Sequence, residues 1–138
     1  MVERVMILGD IAPEEGEALT PIDIDLLSLL RERVDVSEED YLRVFKRKCL
    51  FYGAWQPVEA VDRWQEIEGE ILHECDILVL VGEGCRRATG LDTFPKLCLR
   101  GPIGMIPAPG KYTSFYDNKY NQAAAEILME ELYYRATE

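Results

Sequence analysis

Apolar and polar positions change period several times along the chain, and each change predicts an element. Arg4–Leu8 is a short apolar run closed by Gly9, the pattern of a strand buried on both faces. Thr20-Pro21 with Asp23 predicts a helix start: the threonine caps, the proline takes a position needing no amide, and the aspartate reaches back. Leu26, Leu27, Leu29 and Leu30 supply the apolar face, and the helix is expected to end near Arg33. Ser37 with Asp40 repeats the capping arrangement, and Tyr41, Leu42 and Phe45 follow at helical spacing. Glu38, Glu39 and Asp40 would then sit at the positive end of that helix dipole, with Lys46 and Arg47 at the negative end. Cys49–Tyr52 reads as a short strand.

Pro57 opens a longer helix in which Val58, Val61, Trp64, Ile67, Ile71 and Leu72 trace one stripe, with His73 at its end. Asp76–Val81 is the clearest strand, turned by Gly82-Glu83-Gly84 into a short helix through Ala88 and closed by Gly90. Leu97–Leu99 and Ile103–Ile106 offer further extended structure, interrupted by Gly101-Pro102. Asn118 to Arg135 forms the last helix, with Ala124, Ile127, Leu128 and Leu132 inward. Strands alternating with helices imply crossover connections and helices on both faces of a sheet. The expected fold is therefore α/β, a three-layer α/β/α arrangement with a mostly parallel four-stranded sheet, as a single domain over residues 1–138.

Charge alters this picture locally. The net charge of −11 opposes strong non-specific binding to phosphate backbones. Residues 1–40 carry three basic and twelve acidic side chains, whereas residues 81–116 carry five basic and two acidic. Arg43, Lys46, Arg47 and Lys48 make a second basic island, read as the solvated face of a helix or as an anion site. The apolar runs are too short to cross a bilayer and the start lacks a signal-peptide layout, so a cytoplasmic protein without membrane contact is expected. Cys49, Cys75, Cys85 and Cys98 show no close pairing, so neither a zinc knuckle nor a redox dithiol is encoded locally; either they are small buried apolar residues, the expected case with no metal and no cofactor, or separated cysteines meet in space.

Chemistry concentrates where strands run into loops, because the carboxyl ends of parallel strands converge on one edge. Gly9 lets the first loop turn and a ligand approach the backbone, with Asp10 and Pro13 following. Asp10 either orients a water for attack on an electron-poor carbon or satisfies loop amides. The late loop joins Pro107, Ala108, Pro109 and Gly110 to Lys111, Tyr112, Thr113, Ser114, Phe115 and Tyr116. Its stiff start, cation, hydroxyls and aromatics suit an anion or a flat ring, or else a packed loop covering the sheet edge. Arg86, Arg87 or Lys111 should give this edge a local positive patch.

Four segments in order carry a family likeness: Leu8-Gly9-Asp10-Ile11-Ala12-Pro13; Phe45-Lys46-Arg47-Lys48-Cys49-Leu50; Ile77–Gly82 followed by Cys85–Gly90; and Pro107-Ala108-Pro109-Gly110 followed by Asn118–Tyr134. In that order the chain resembles the uracil-DNA glycosylase superfamily, more closely its small divergent bacterial and phage branch. The resemblance implies that Ala108 stands where the family has a charge-stabilising histidine, and Cys49 where it has the asparagine that reads the pyrimidine edge. No counterpart of the base-stacking aromatic lies between Gly9 and Asp40, and the paired cysteines of cluster-containing members are absent.

The resemblance implies a glycosylase-like domain recognising a nucleobase, nucleotide or nucleic-acid end, with single-stranded or damaged DNA as a further candidate and weak or no N-glycosidic hydrolysis. Asp10 is its candidate catalytic residue, and Gly9, Pro13, Cys49, Ala108, Pro109, Gly110, Lys111 and Tyr112 its candidate ligand contacts. One alternative is a non-enzymatic module on the same fold, using its acidic surface for a protein partner or homo-oligomer. Another is a nucleoside deoxyribosyltransferase-like enzyme with Glu83 as nucleophile.

Overall fold

The computed structural model describes residues 2–11, 19–51, 57–110 and 113–138. Its elements follow the chain as β1 (Val5–Ile11), α1 (Pro21–Arg31), α2 (Glu38–Val44), β2 (Phe45–Phe51), α3 (Pro57–Glu74), β3 (Ile77–Val81), α4 (Glu83–Ala88), β4 (Cys98–Arg100), β5 (Ile103–Ile106) and α5 (Lys119–Thr137). A short 3-10 turn, Phe115–Asp117, precedes α5.

Local signals account for most boundaries. Thr20 caps α1 reciprocally: its hydroxyl accepts from the Asp23 amide at 3.1 Å and its amide donates to the Asp23 carboxylate at 3.0 Å. Ser37 accepts from the Asp40 amide at 3.1 Å to start α2, and Asn118 starts α5 by accepting from the amides of Tyr120 and Asn121.

The described strands form one five-stranded sheet in the order β2-β1-β3-β5-β4, against the four strands expected. Pairing is parallel for β1 with β2, β1 with β3 and β3 with β5, and antiparallel for β4 with β5. The antiparallel strand exists because Gly101, at φ 57°, turns the chain in two residues from Arg100 to its partner Ile103.

Successive residues of the central strands enter two separate apolar clusters. Val5 and Ile7 of β1 and Ile77, Val79 and Val81 of β3 pack with residues of α1, α2 and α5. Met6, Leu8, Leu78 and Leu80 pack with residues of α3 and α4.

Three expectations are corrected. The strand after α2 begins at Phe45 rather than Cys49, so Lys46, Arg47 and Lys48 belong to β2 and not to a helix end. The cause is pairing: Val5 is in register with Phe45 and Gly9 with Cys49, which gives the outer side of buried β1 its hydrogen-bond partners. The α3 stripe is rotated, with Ala60, Trp64, Ile67 and Ile71 buried while Val61 and Leu72 are exposed. In α5, Ala125 and Met129 join Leu128 and Leu132 inside, and Ile127 is exposed. Both helices use one narrow stripe, so a residue one position off it faces water.

Candidate functional site

β1, β2, β3 and β5 run parallel, so their carboxyl ends share one edge of the sheet. β3 leaves that edge through Gly82, whose φ of 93° and ψ of 162° belong to a region open to glycine. The Gly82 amide donates to the Ile106 carbonyl at 3.1 Å, which ties the end of β3 to the end of β5. Beyond β5, Pro107, Ala108 and Pro109 run half-buried along the edge. The chain then folds back: the Tyr116 hydroxyl donates to the Pro107 carbonyl at 2.5 Å, and Asn121 of α5 donates to the Phe115 carbonyl at 3.0 Å. Burial, followed by the nearby Asp25 carboxylate, pushes the Tyr116 hydroxyl well above its ordinary pKa, so it remains a donor at neutral pH.

Between the two junctions lies a cleft of about 770 Å³, a size suited to a small organic ligand. One wall is the late loop, with Pro107 to Gly110, Thr113, Ser114, Phe115 and Asn121. The other comes from the β3–α4 junction and the turn after it, with Gly82, Glu83, Arg86, Arg87 and Lys96. Three cations and one carboxylate on that wall make it locally positive in a chain whose net charge is −11.

Arg86 is the unusual member. Only 6 % of its surface is exposed. Its Nη2 donates to the Asp92 carbonyl at 2.7 Å and the Phe94 carbonyl at 2.8 Å, bracing the turn after α4. Its Nε lies 3.4 Å from Glu83 Oε2 without hydrogen-bond geometry, and Nη1 has no partner among the described residues. A buried donor left unsatisfied costs about 1–3 kcal/mol, more when charged.

The expected site residues fall into two groups on this edge. Ala108, Pro109 and Gly110 line the cleft. Gly9 and Cys49 are register partners on β1 and β2, on the far side of β3, and neither lines it. Gly9 is also not a turn residue: β1 continues to Ile11, Gly9 is absent from the positive-φ glycines, and an added Cβ would meet only Ile22 Cδ1 at 3.6 Å. Asp10 consequently has its backbone inside β1 rather than in a loop, and its side chain lies outside the described part. Pro13, Lys111 and Tyr112 lie outside the described residues.

Arg86 and Arg87 reach this edge as the charge pattern predicts. Lys96 and Asn121 were not foreseen. Lys96 belongs to the basic excess of residues 81–116, which was the available signal; Asn121 is three residues past a helix cap, with no local sign of its inward role. Among the described residues, no helix is long and apolar enough to cross a membrane. No family model, no curated protein and no solved structure matches the chain.

Proposed function

We propose that this cleft binds a ligand carrying a nucleobase, a nucleotide or a nucleic-acid end, on a three-layer α/β/α domain of the uracil-DNA glycosylase kind, with weak or no N-glycosidic hydrolysis. The observation that carries the reading is the pairing of walls: a cationic one from Arg86, Arg87 and Lys96 faces a less polar one with Pro107, Ala108, Pro109 and Phe115. A flat heterocycle takes the second and an anionic group the first. The cleft's place at the carboxyl edge, where α/β folds bind ligands, adds weight. The absence of an imidazole at Ala108 supports recognition over efficient hydrolysis.

Titration of isotope-labelled protein with deoxynucleosides and their 5′-monophosphates is the test. Amide shifts at Ala108, Gly110 and Phe115 that saturate are expected. Shifts confined to other faces, or none at millimolar ligand, would refute the reading.

Glu83 favours one second reading. It lines the cleft, half-exposed, and could attack the anomeric carbon of a deoxynucleoside, expelling the base and then passing the sugar to another. Exchange of labelled base into a deoxynucleoside, abolished by Glu83→Gln, would establish this chemistry. No exchange in the wild type would dismiss it.

A further inference from the structure

We propose that Arg86 anchors an anion subsite for a phosphate monoester, and that Glu83 occupies this subsite until the phosphate displaces it. The inference deepens the proposed nucleotide reading, on which it rests for the rest of the ligand, by naming the group the cationic wall holds.

The Arg86 guanidinium is fixed by two short bonds from Nη2 to main-chain carbonyls. This leaves Nε and Nη1 as donors without a hydrogen-bond partner, both shielded from bulk water. A guanidinium held rigidly with unused donors suits a multidentate oxyanion. The two other cations of the wall, Arg87 and Lys96, are exposed and add attraction.

Glu83 is placed as a substitute anion. Its Oε2 lies 3.4 Å from Arg86 Nε and its Oε1 lies 3.5 Å from Arg87 Nε. Both distances exceed the roughly 2.7–2.9 Å of a well-made charge-assisted bond. The carboxylate is 50 % exposed, so it can swing into water and open the approach to Arg86. A phosphate monoester then brings three acceptor oxygens and about −1.5 to −2 charges at neutral pH against the single charge of a carboxylate. Selectivity follows from that difference: a phosphate displaces Glu83, whereas an acetate-like anion only matches it.

The test titrates the folded full chain with inorganic phosphate, following the Arg86 side-chain nitrogen signals by NMR, and repeats it in variants. Phosphate should shift the Arg86 Nε and Nη1 signals in the wild type. Glu83→Gln should tighten phosphate binding at least threefold, while Arg86→Lys should weaken it at least tenfold. Because Arg86 also braces a turn, Glu83→Gln and the wild-type spectra remain decisive if Arg86→Lys does not fold. An unmoved Arg86 signal, or tightening absent in Glu83→Gln, overturns the proposal.

Separate arms use a deoxynucleoside, its 5′-monophosphate, and single-stranded DNA with and without a 5′-phosphate. The proposal expects phosphorylated ligands to bind at least tenfold tighter than their unphosphorylated forms. Preference for the mononucleotide or for the 5′-phosphorylated strand identifies the source of the monoester. Inorganic phosphate binding with no gain from the nucleoside would refute the nucleobase reading alone. Nucleoside binding with no phosphate response at Arg86 would refute the subsite alone.

Discussion

Removing the Asp23 carboxylate should destabilise the protein more than any surface change, and the reason can be counted atom by atom. Asp23 is 2 % exposed in the first turn of α1. It accepts from the Thr20 amide and the Thr20 hydroxyl at 3.0 Å each, from the Tyr41 hydroxyl at 2.8 Å and from Arg47 Nη1 at 2.7 Å. The group therefore joins α1, α2 and β2. In Asp23→Ala the buried Tyr41 hydroxyl loses this acceptor, at about 1–3 kcal/mol. Loss of the reciprocal cap adds about 1 kcal/mol. The Arg47 side chain is 28 % exposed, so water offsets part of its lost pairing and about 1 kcal/mol remains. The total is about 3–5 kcal/mol, or roughly 10–17 °C in melting temperature for a chain of this size. Urea unfolding followed by Trp64 fluorescence, with an unchanged denaturant slope, is the measurement. A double-mutant cycle with Tyr41→Phe should return a coupling of about 0.5–3 kcal/mol. A loss under about 1 kcal/mol with no coupling would show that the cluster forms no stabilising unit.

Gly82→Ala forces a side chain into a backbone region nearly closed to it, and should cost about 1–3 kcal/mol in the same urea assay; an unchanged midpoint would refute the strain argument. Acid unfolding should show two opposite signs. Hydrogen bonds from Arg4 hold the Asp76 carboxyl below its ordinary pKa, and bonds from Arg43 and Ser37 do the same for Asp40, so both stabilise above the unfolded value near 4 and lose this as pH falls through their folded values. Asp25 is raised by burial, so its ionised form opposes folding; Asp25→Asn should raise the melting temperature at pH 7, and the gain should vanish below about pH 4. Uracil release from single-stranded DNA should be absent or very slow, since each missing positioned donor costs about 100–1,000-fold; robust turnover would refute this. Any residual turnover should fall sharply in Asp10→Asn if this residue orients the attacking water. An unfolded Asp10→Asn protein, or a folded one with turnover unchanged, would make Asp10 a structural residue.

Elements with their determinants close by in sequence were readable. The Thr20–Asp23 and Ser37–Asp40 caps lie within three residues, and Ile103–Ile106 emerges with its expected bounds. What failed depends on distant partners. Phe45 continues helical spacing from Tyr41, and only its register with Val5, forty residues earlier, makes it a strand residue. The charges of Lys46 and Arg47 agreed with a helix end, but an edge strand tolerates them because one side faces water. Arg47 meets Asp23 across 24 positions, a pairing without local trace. The late loop's residue types alone marked it out, and part of it lines the cleft, whereas the burial of Arg86 was not legible. A six-residue helix between polar turns gives no periodicity from which an inward arginine can be told from an outward one.

The interior position of β1 in the sheet carries a consequence for how the chain is made. Val5 to Leu8 end fully enclosed, yet they are synthesised before their neighbours β2 and β3, which arrive only with Phe45–Phe51 and Ile77–Val81. Closure of one cluster waits for Leu128, Met129 and Leu132 of α5. At about 5–20 residues per second, this exposes a sticky nascent strand for roughly ten seconds. Twelve acidic residues lie within the forty positions that contain this strand. Mutual repulsion between such segments opposes contact between neighbouring nascent chains, a role for this acidity separate from the contacts it makes in the finished fold.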